Sequence, residues 1–236
     1  IFAFTGVGFV FGGLWVAFLK ESPDKKVPTK WVVKERFKDA WNIFKTDTGF
    51  RRLAIVSMCF CPLMLLFPHY QALARGGASV QSSATDLMVW VVAQNVAVGV
   101  YSMFAGYLAD RFGNRLVLRI QLLMGAATPL LALVLASTVS SGGPDLYWLT
   151  FAMIGIAPVT LRTLLNFNLE LTEPKNHPRY VSTLSVFAAI PFFASPIVGY
   201  FVDLIGFTTV FIVSSAIIAT GCLLTFRLPE PRHAVD

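Results

Sequence analysis

An all-α, polytopic membrane protein is the fold class this sequence predicts, on three observations. Hydrophobic residues make up 56% of the 236 and charged ones only 14%, where a soluble domain is about a quarter charged. The apolar residues gather into seven blocks, each near the ~20 residues that a helix rising 1.5 Å per residue needs to cross a hydrocarbon core of about 30 Å. The basic residues fall almost wholly on one side of the alternating path those blocks describe.

The first block, Ile1–Leu19, has neither the basic leader nor the small-residue cleavage site of a signal peptide. It reads as a membrane helix, and its start at Ile1 predicts further chain upstream. Gly8 and Gly12 give it a close-packing face. Residues 20–52 form a polar linker with ten of the 19 Lys and Arg. Within it, "TKWVVKERFKDAWNIFKTDTGFRR" sets Val33, Phe37, Trp41 and Phe44 at helical spacing, with Lys34, Lys38 and Lys45 turned away. That pattern predicts a helix lying among lipid headgroups, apolar face down and lysines toward anionic lipid. Nucleic acid would require the aromatics exposed beside the lysines, so the net charge of +6 does not point to it.

A six-helix bundle is expected over residues 53–228, with residues 229–236 as a tail. Its blocks are Leu53–Ala74, Leu87–Ala109, Leu116–Thr138, Leu146–Leu169, Val181–Val202 and Phe207–Leu228. The intervening "RGGASVQSSATD" and "SSGGPD" are turn chemistry, too short for a domain. Cys59, Cys61 and Cys222 lack the spacing of a zinc or redox motif and read as apolar packing. If the blocks alternate as spans, seventeen of the 19 basic residues share one side; Arg75 takes the other and Arg162 lies within a block. Positive-inside asymmetry makes the basic side cytoplasmic, with the first residue outside and the C-terminus inside.

"GYLADRFGNR", Gly106 to Arg115, then becomes a tight cytoplasmic turn between the third and fourth blocks. Gly106 permits close helix contact and Gly113 a left-handed backbone. Asp110 sits at the C-terminal end of its helix, where the dipole disfavours a carboxylate. It therefore needs an outside partner, a helix N-terminus or an arginine. Arg111 and Arg115 are placed to bind headgroups.

These residues resemble the Gly-x-Leu-Ala-Asp-Arg-x-Gly-x-Arg signature of major facilitator superfamily transporters, matched by Gly106, Leu108, Ala109, Asp110, Arg111, Gly113 and Arg115. Asn114 stands where the pattern often has arginine. "PIVGYFVDLIGF", with Asp203, resembles the outer end of that family's eleventh helix, and "NLELTEPKNHPRY" its 10–11 loop. The resemblance implies the sixth helix, the central linker and helices seven to twelve, with the N-terminal half of the same protein missing. It implies that Asp110 latches onto a helix of that other half, with Gly106, Arg111, Gly113, Arg115 and Asp203 sharing in gating. The alternative for Asp110 is a topology anchor without a gating role. It also implies that helices seven and ten line a central cavity, flanked by eight and eleven.

Several side chains become candidates for that cavity. Pro62 and Pro158 fall near mid-membrane, where broken helices mark transporter sites or serve packing alone. Arg162, roughly 24 Å into its span, forms a polar stripe with Asn166 and Glu170. It contacts an anionic substrate or a charge partner, or else snorkels to the interface. Tyr70, Gln71, Gln94 and Asn95 are further substrate-ligand candidates, the amides equally suited to bridging helices. His69 has the unperturbed pKa of a coupling-proton carrier, or is a simple hydrogen-bonding group.

No phosphate-binding loop, zinc-protease or nucleophile-elbow motif occurs, so the sequence argues against an enzyme and implies no cofactor or metal. The expected function is secondary active transport of a small solute by alternating access. Efflux of hydrophobic compounds, a non-transporting receptor or scaffold on the same fold, and a permease driven by a separate nucleotide-binding chain are the alternatives. The partners implied are a small-molecule substrate and membrane lipids.

Overall fold

The computed structural model describes residues 33–76, 84–141 and 145–229, together with residues 10, 11, 15 and 18. The first expected span (apart from those four residues), the linker up to residue 32, and the tail from residue 230 lie outside the described residues. Contacts divide the chain into two compact units, residues 1–37 and 38–236. In the smaller, Val10, Phe11, Trp15 and Phe18 are exposed.

Five continuous helical runs among the described residues are long and apolar enough to cross a membrane: Thr48–Ala74, Thr85–Phe112, Asn114–Val139, Trp148–Glu170 and Pro174–Arg227. The last has 54 residues, about 81 Å of helix against a core of about 30 Å. Gly206 divides it, with φ 82° and ψ 162° inside an otherwise helical stretch. Each side of that break is long enough for one crossing, so the second to seventh blocks all have their helices.

The linker helix α1 (Val33–Thr46) forms as its spacing predicts. Its apolar face is not wholly given to the membrane surface. Ala40 and Ile43 are buried, while Phe37 and Trp41 are exposed. Phe44 stacks on Phe187 with ring centroids 4.6 Å apart. The first span starts ahead of Leu53, as α2 (Thr48–Phe60), because Asp47 caps it by accepting from the Phe50 N–H at 2.9 Å. The span then breaks into α3 (Pro62–Leu65) and α4 (Phe67–Gly76). Pro62 opens α3, where its missing N–H costs nothing. The Cys61 thiol beside it donates to the carbonyls of Ser57 and Ala188, each at 3.3 Å.

Helices α5 (Ala84–Phe112) and α6 (Asn114–Ser140) meet at Gly113, whose φ of 86° and ψ of 157° reproduce those of Gly206. The next span breaks at Gly155, between α7 (Trp148–Ile154) and α8 (Ile156–Glu170). Pro158 therefore occupies a first turn and removes no helical hydrogen bond. The sixth block is α9 (His177–Ala189), a 3-10 turn over Ile190–Ala194, and the first part of α10 (Ser195–Leu224).

Lipid removes the hydrophobic drive between helices, so packing depends on shape and close approach. A Cβ on Gly155 would lie 2.7 Å from the Gln94 carbonyl, and one on Gly221 would lie 2.7 Å from the Cys59 Cβ. These glycines bring α8 against α5 and α10 against α2. Phe50, Phe60, Phe151, Phe167 and Phe211 fill the space between helices and are fully enclosed. Gly155→Ala is expected to lower the melting temperature in detergent, and Gly206→Ala to cost about 1–3 kcal/mol through its backbone conformation. Gly99→Ala, with nothing within 4 Å of its Cβ, should leave the melting temperature unchanged or slightly raised.

Candidate functional site

Helix α5 carries Asn95, Gly99, Ser102, Gly106 and Asp110 at spacings of four, three, four and four, which place them on one face. Asn95, Gly99, Gly106 and Asp110 are exposed, and nothing lies within 4 Å of a Cβ built on either glycine. On α8, Arg162 and Asn166 are also exposed. Hydrocarbon does not cover such groups without a cost of several kcal/mol for the charge. This face therefore meets water or other protein. The Asn95 amide is meanwhile satisfied by its own helix, donating to the Val91 carbonyl at 2.8 Å.

Glu170, the third member of the α8 stripe, turns away from Arg162 and Asn166. Its Oε1 accepts from the Asn114 amide at 2.7 Å, and Asn114 is buried. The residue that departs from the expected arginine thus joins the Gly113 turn to the C-terminal end of α8. An amide supplies the donor there without introducing a second charge.

The arginines of the turn are engaged with protein. Arg111 donates to the Tyr107 hydroxyl at 2.8 Å and Arg115 to the Leu228 carbonyl at 3.1 Å. Arg119 donates to the Thr225 carbonyl at 3.5 Å and lies 4.2 Å over the Phe226 ring. From α2, Arg52 reaches the Arg227 carbonyl. Three guanidinium groups converge on the last carbonyls of the bundle, which form the negative end of the final helix dipole. The headgroup role expected of Arg115 gives way to this cap because the carbonyls lie within its reach.

At the other end, His69 and Gln71 are half-buried and Asp203 is exposed. Tyr70 between them points inward and is fully buried, its ring 5.1 Å from that of Phe211. Its carbonyl accepts from the Tyr147 hydroxyl at 2.8 Å. That placement makes Tyr70 part of the helix packing and sets it apart from the exposed polar face. Gln94 is half-buried beside Gly155.

A cleft of about 460 Å³ opens between α2, α3, the Ile190–Ala194 turn and α10, walled by Pro62, Leu65, Pro191, Val198, Phe201 and Ser214. Two helix breaks, at Cys61 and at Ile190–Ala194, stand on its opposite walls. Sequence reasoning singled out Pro62 and passed over Pro191. It also passed over Gln121 and Asn168, whose buried amides find no hydrogen-bond partner among the described residues. The available signal was an amide inside an apolar block, the same one that singled out Gln94 and Asn95. No cluster of His, Cys, Asp and Glu among the described residues is suited to a metal ion.

A family model described as Major Facilitator Superfamily matches residues 77–236. Comparison with the curated proteins finds no match.

The Asn114–Glu170 bond generates a stability order. A hydrogen bond to a charged group contributes about 1.5–3 kcal/mol, so Asn114→Ala should be destabilised by that amount. Asn114→Asp should fall further, because it places two carboxylates together. Thermal unfolding of the three proteins at neutral pH checks the order, and equal melting temperatures would contradict it.

Proposed function

This chain belongs to the Major Facilitator Superfamily, a family of membrane transporters, and from that premise we propose that it forms half of a secondary transporter working by alternating access. The observation that carries the proposal is the exposure of Arg162 and Asn166 at membrane depth, on the same side chain rows that the family places against a cavity. A single helical bundle with a charged residue open at that depth is complete only against a water-filled cavity or a second bundle. The stripe from Asn95 to Asp110 supports the same reading. Its two open glycines accept a close-packed helix, and Asp110 at its cytoplasmic end is placed to meet that helix's N-terminus.

In this mechanism the complementary half of the same fold rocks against α5 and α9–α10 around the cavity. Arg162, Asn166, Gln94, Asn95 and Gln71 face the solute, with Arg162 favouring an anionic group. Asp110 closes the cytoplasmic side. Asp203 stands in the matching position outside, since the Gly106–Gly113 and Gly199–Gly206 stretches share a Gly-Tyr-x-x-Asp-x-x-Gly pattern and the same backbone at the last glycine. His69 is the coupling-proton candidate. The basic side is cytoplasmic and the C-terminus lies there. A second reading, transport of apolar compounds, is favoured by the 460 Å³ cleft, whose volume lies within the 300–1,000 Å³ range usual for small-ligand sites.

Two measurements test the proposal without knowledge of the substrate. Asn166→Cys should react with a small water-soluble thiol reagent in membranes, whereas Val100→Cys, exposed about 120° round α5 from the polar row, should not. An unreactive Asn166→Cys would remove the cavity. Asp110→Asn should change the Asn166→Cys labelling rate at least about fivefold, the scale of a coupling of 1–3 kcal/mol, while leaving the amount of protein in the membrane unchanged. An unchanged rate would reduce Asp110 to an anchor.

A further inference from the structure

We propose that the linker helix α1 is a cytoplasmic strut that sets the position of α9, with Asp39 and Asp47 as its positioning residues. The inference rests on the alternating-access reading, in which α9 is the inner half of a gating helix.

The physical argument begins with how much of the linker is bonded. Arg179, in the first turn of α9, pairs through both Nε and Nη2 with the two carboxylate oxygens of Asp39. Such a bidentate pair fixes orientation as well as distance. Directly after the last residue of α1, Asp47 divides its carboxylate between two partners. Oδ1 caps α2 through the Phe50 N–H at 2.9 Å, and Oδ2 accepts from the Tyr180 hydroxyl at 2.8 Å. A single side chain thus ties the cytoplasmic ends of the first and fifth helices of the bundle together.

Aromatic packing completes the joint. Phe44 stacks on Phe187, and Phe50 meets Tyr180 and Phe187 edge-on at 5.4 and 6.2 Å. The contacts on α9 lie at Arg179, Tyr180, Thr183 and Phe187, one face over about two turns. The opposite face, with Ser182 and Ser185, is exposed. A helix held along one face and open along the other moves only with the body that holds it. The break at Ile190–Ala194 lies directly after the clamped segment, so the clamped segment pivots there without dragging α10.

The pair is also of a strength suited to switching. Side chains of Arg179 and Asp39 retain 47% and 34% of their exposure, and solvent screening keeps such a pair weak. Movement of the linker therefore redistributes α9 between positions and does not unfold it.

The test uses the full-length protein in phosphatidylcholine nanodiscs, where both faces are open to water. Ser182→Cys reports the free face of α9 through its rate of labelling by a charged maleimide. Asp39→Asn and Tyr180→Phe should each raise that rate about two- to fivefold, the scale of a partly exposed pair. The exchange Asp39→Arg with Arg179→Asp should return it to the starting value. Labelling of Ser137→Cys, at the far end of α6, should stay constant throughout. Rates unmoved by both single variants, or not restored by the exchange, would overturn the strut. If Asp39→Asn fails to fold by its melting curve, Tyr180→Phe, which removes one hydroxyl, decides alone. Ser182→Cys labelling that answers to Asp39→Asn but not to Asp110→Asn sustains the strut and overturns the latch.

Discussion

Inside hydrocarbon no water is available to satisfy a backbone polar group, so every interruption of a membrane helix has to be answered by protein. This chain interrupts its helices repeatedly, and each break comes with its own answer. At Cys61 a proline restarts the helix and the thiol bonds the carbonyls of Ser57 and Ala188. At Gly155 the N–H is shared between the carbonyls of Phe151 and Ala152, and the helix resumes one residue later. The Ile190–Ala194 turn tightens into 3-10 geometry and keeps its bonds local. Because the breaks are satisfied, they can bend α2–α3 and α9–α10 apart and leave the cleft between them.

The two ends of the bundle answer the same constraint differently. At the end that carries the Gly113 turn the terminal carbonyls are capped by arginines from two elements, α2 and α6, and Glu170, Asp47 and Asp39 each hold a named donor. The other end is held by rings. Trp90 stacks on Phe151 at 4.8 Å, Tyr147 packs beside both, and Tyr70 leans on Phe211. Aromatic pairs of this kind contribute about 0.5–1.5 kcal/mol each beyond their buried area, and they tolerate sliding better than a directed bond. Most of the directed bonds involving charged groups therefore gather at the Gly113 end, while the Tyr147–Tyr70 bond adds one at the other.

The spans were legible because crossing a bilayer imposes a length and a composition that few other structures share. The turn at Gly113 was legible because a positive φ leaves almost no other residue possible. What the sequence did not disclose depends on meetings between distant segments. Asp39 and Arg179 are 140 positions apart, and Asn114 and Glu170 are 56; neither pair has a local signature. The same limit explains Phe44, whose helical spacing foretold an apolar face but not that part of it would find Phe187 in place of lipid. It explains Tyr70 too, since a polar aromatic in a span has the same appearance whether it lines a cavity or closes a core. The row of α8 was visible as periodicity, and the structure added the row of α5 and the exposure of both among the described residues.

A transporter has to visit two arrangements within thermal reach of one another, and that requirement limits how strong its switching contacts can be. Moving an equilibrium from 1:99 to 99:1 takes about 5.5 kcal/mol of differential binding. A gate held by a buried, fully paired charge would spend most of that on one contact, because breaking such a pair costs about 3–5 kcal/mol. The contacts available here are individually smaller. Asp39–Arg179 is partly exposed, Asn114–Glu170 involves one neutral partner, and Asp110 is exposed at the end of its helix. In the proposed alternating-access cycle, several weak contacts made and broken in different states would give a gate that is well defined in each state and still reversible. The partial exposure of these polar pairs therefore fits the proposed cycle, in which a mutation that buried or strengthened one of them should slow transport as surely as one that removed it.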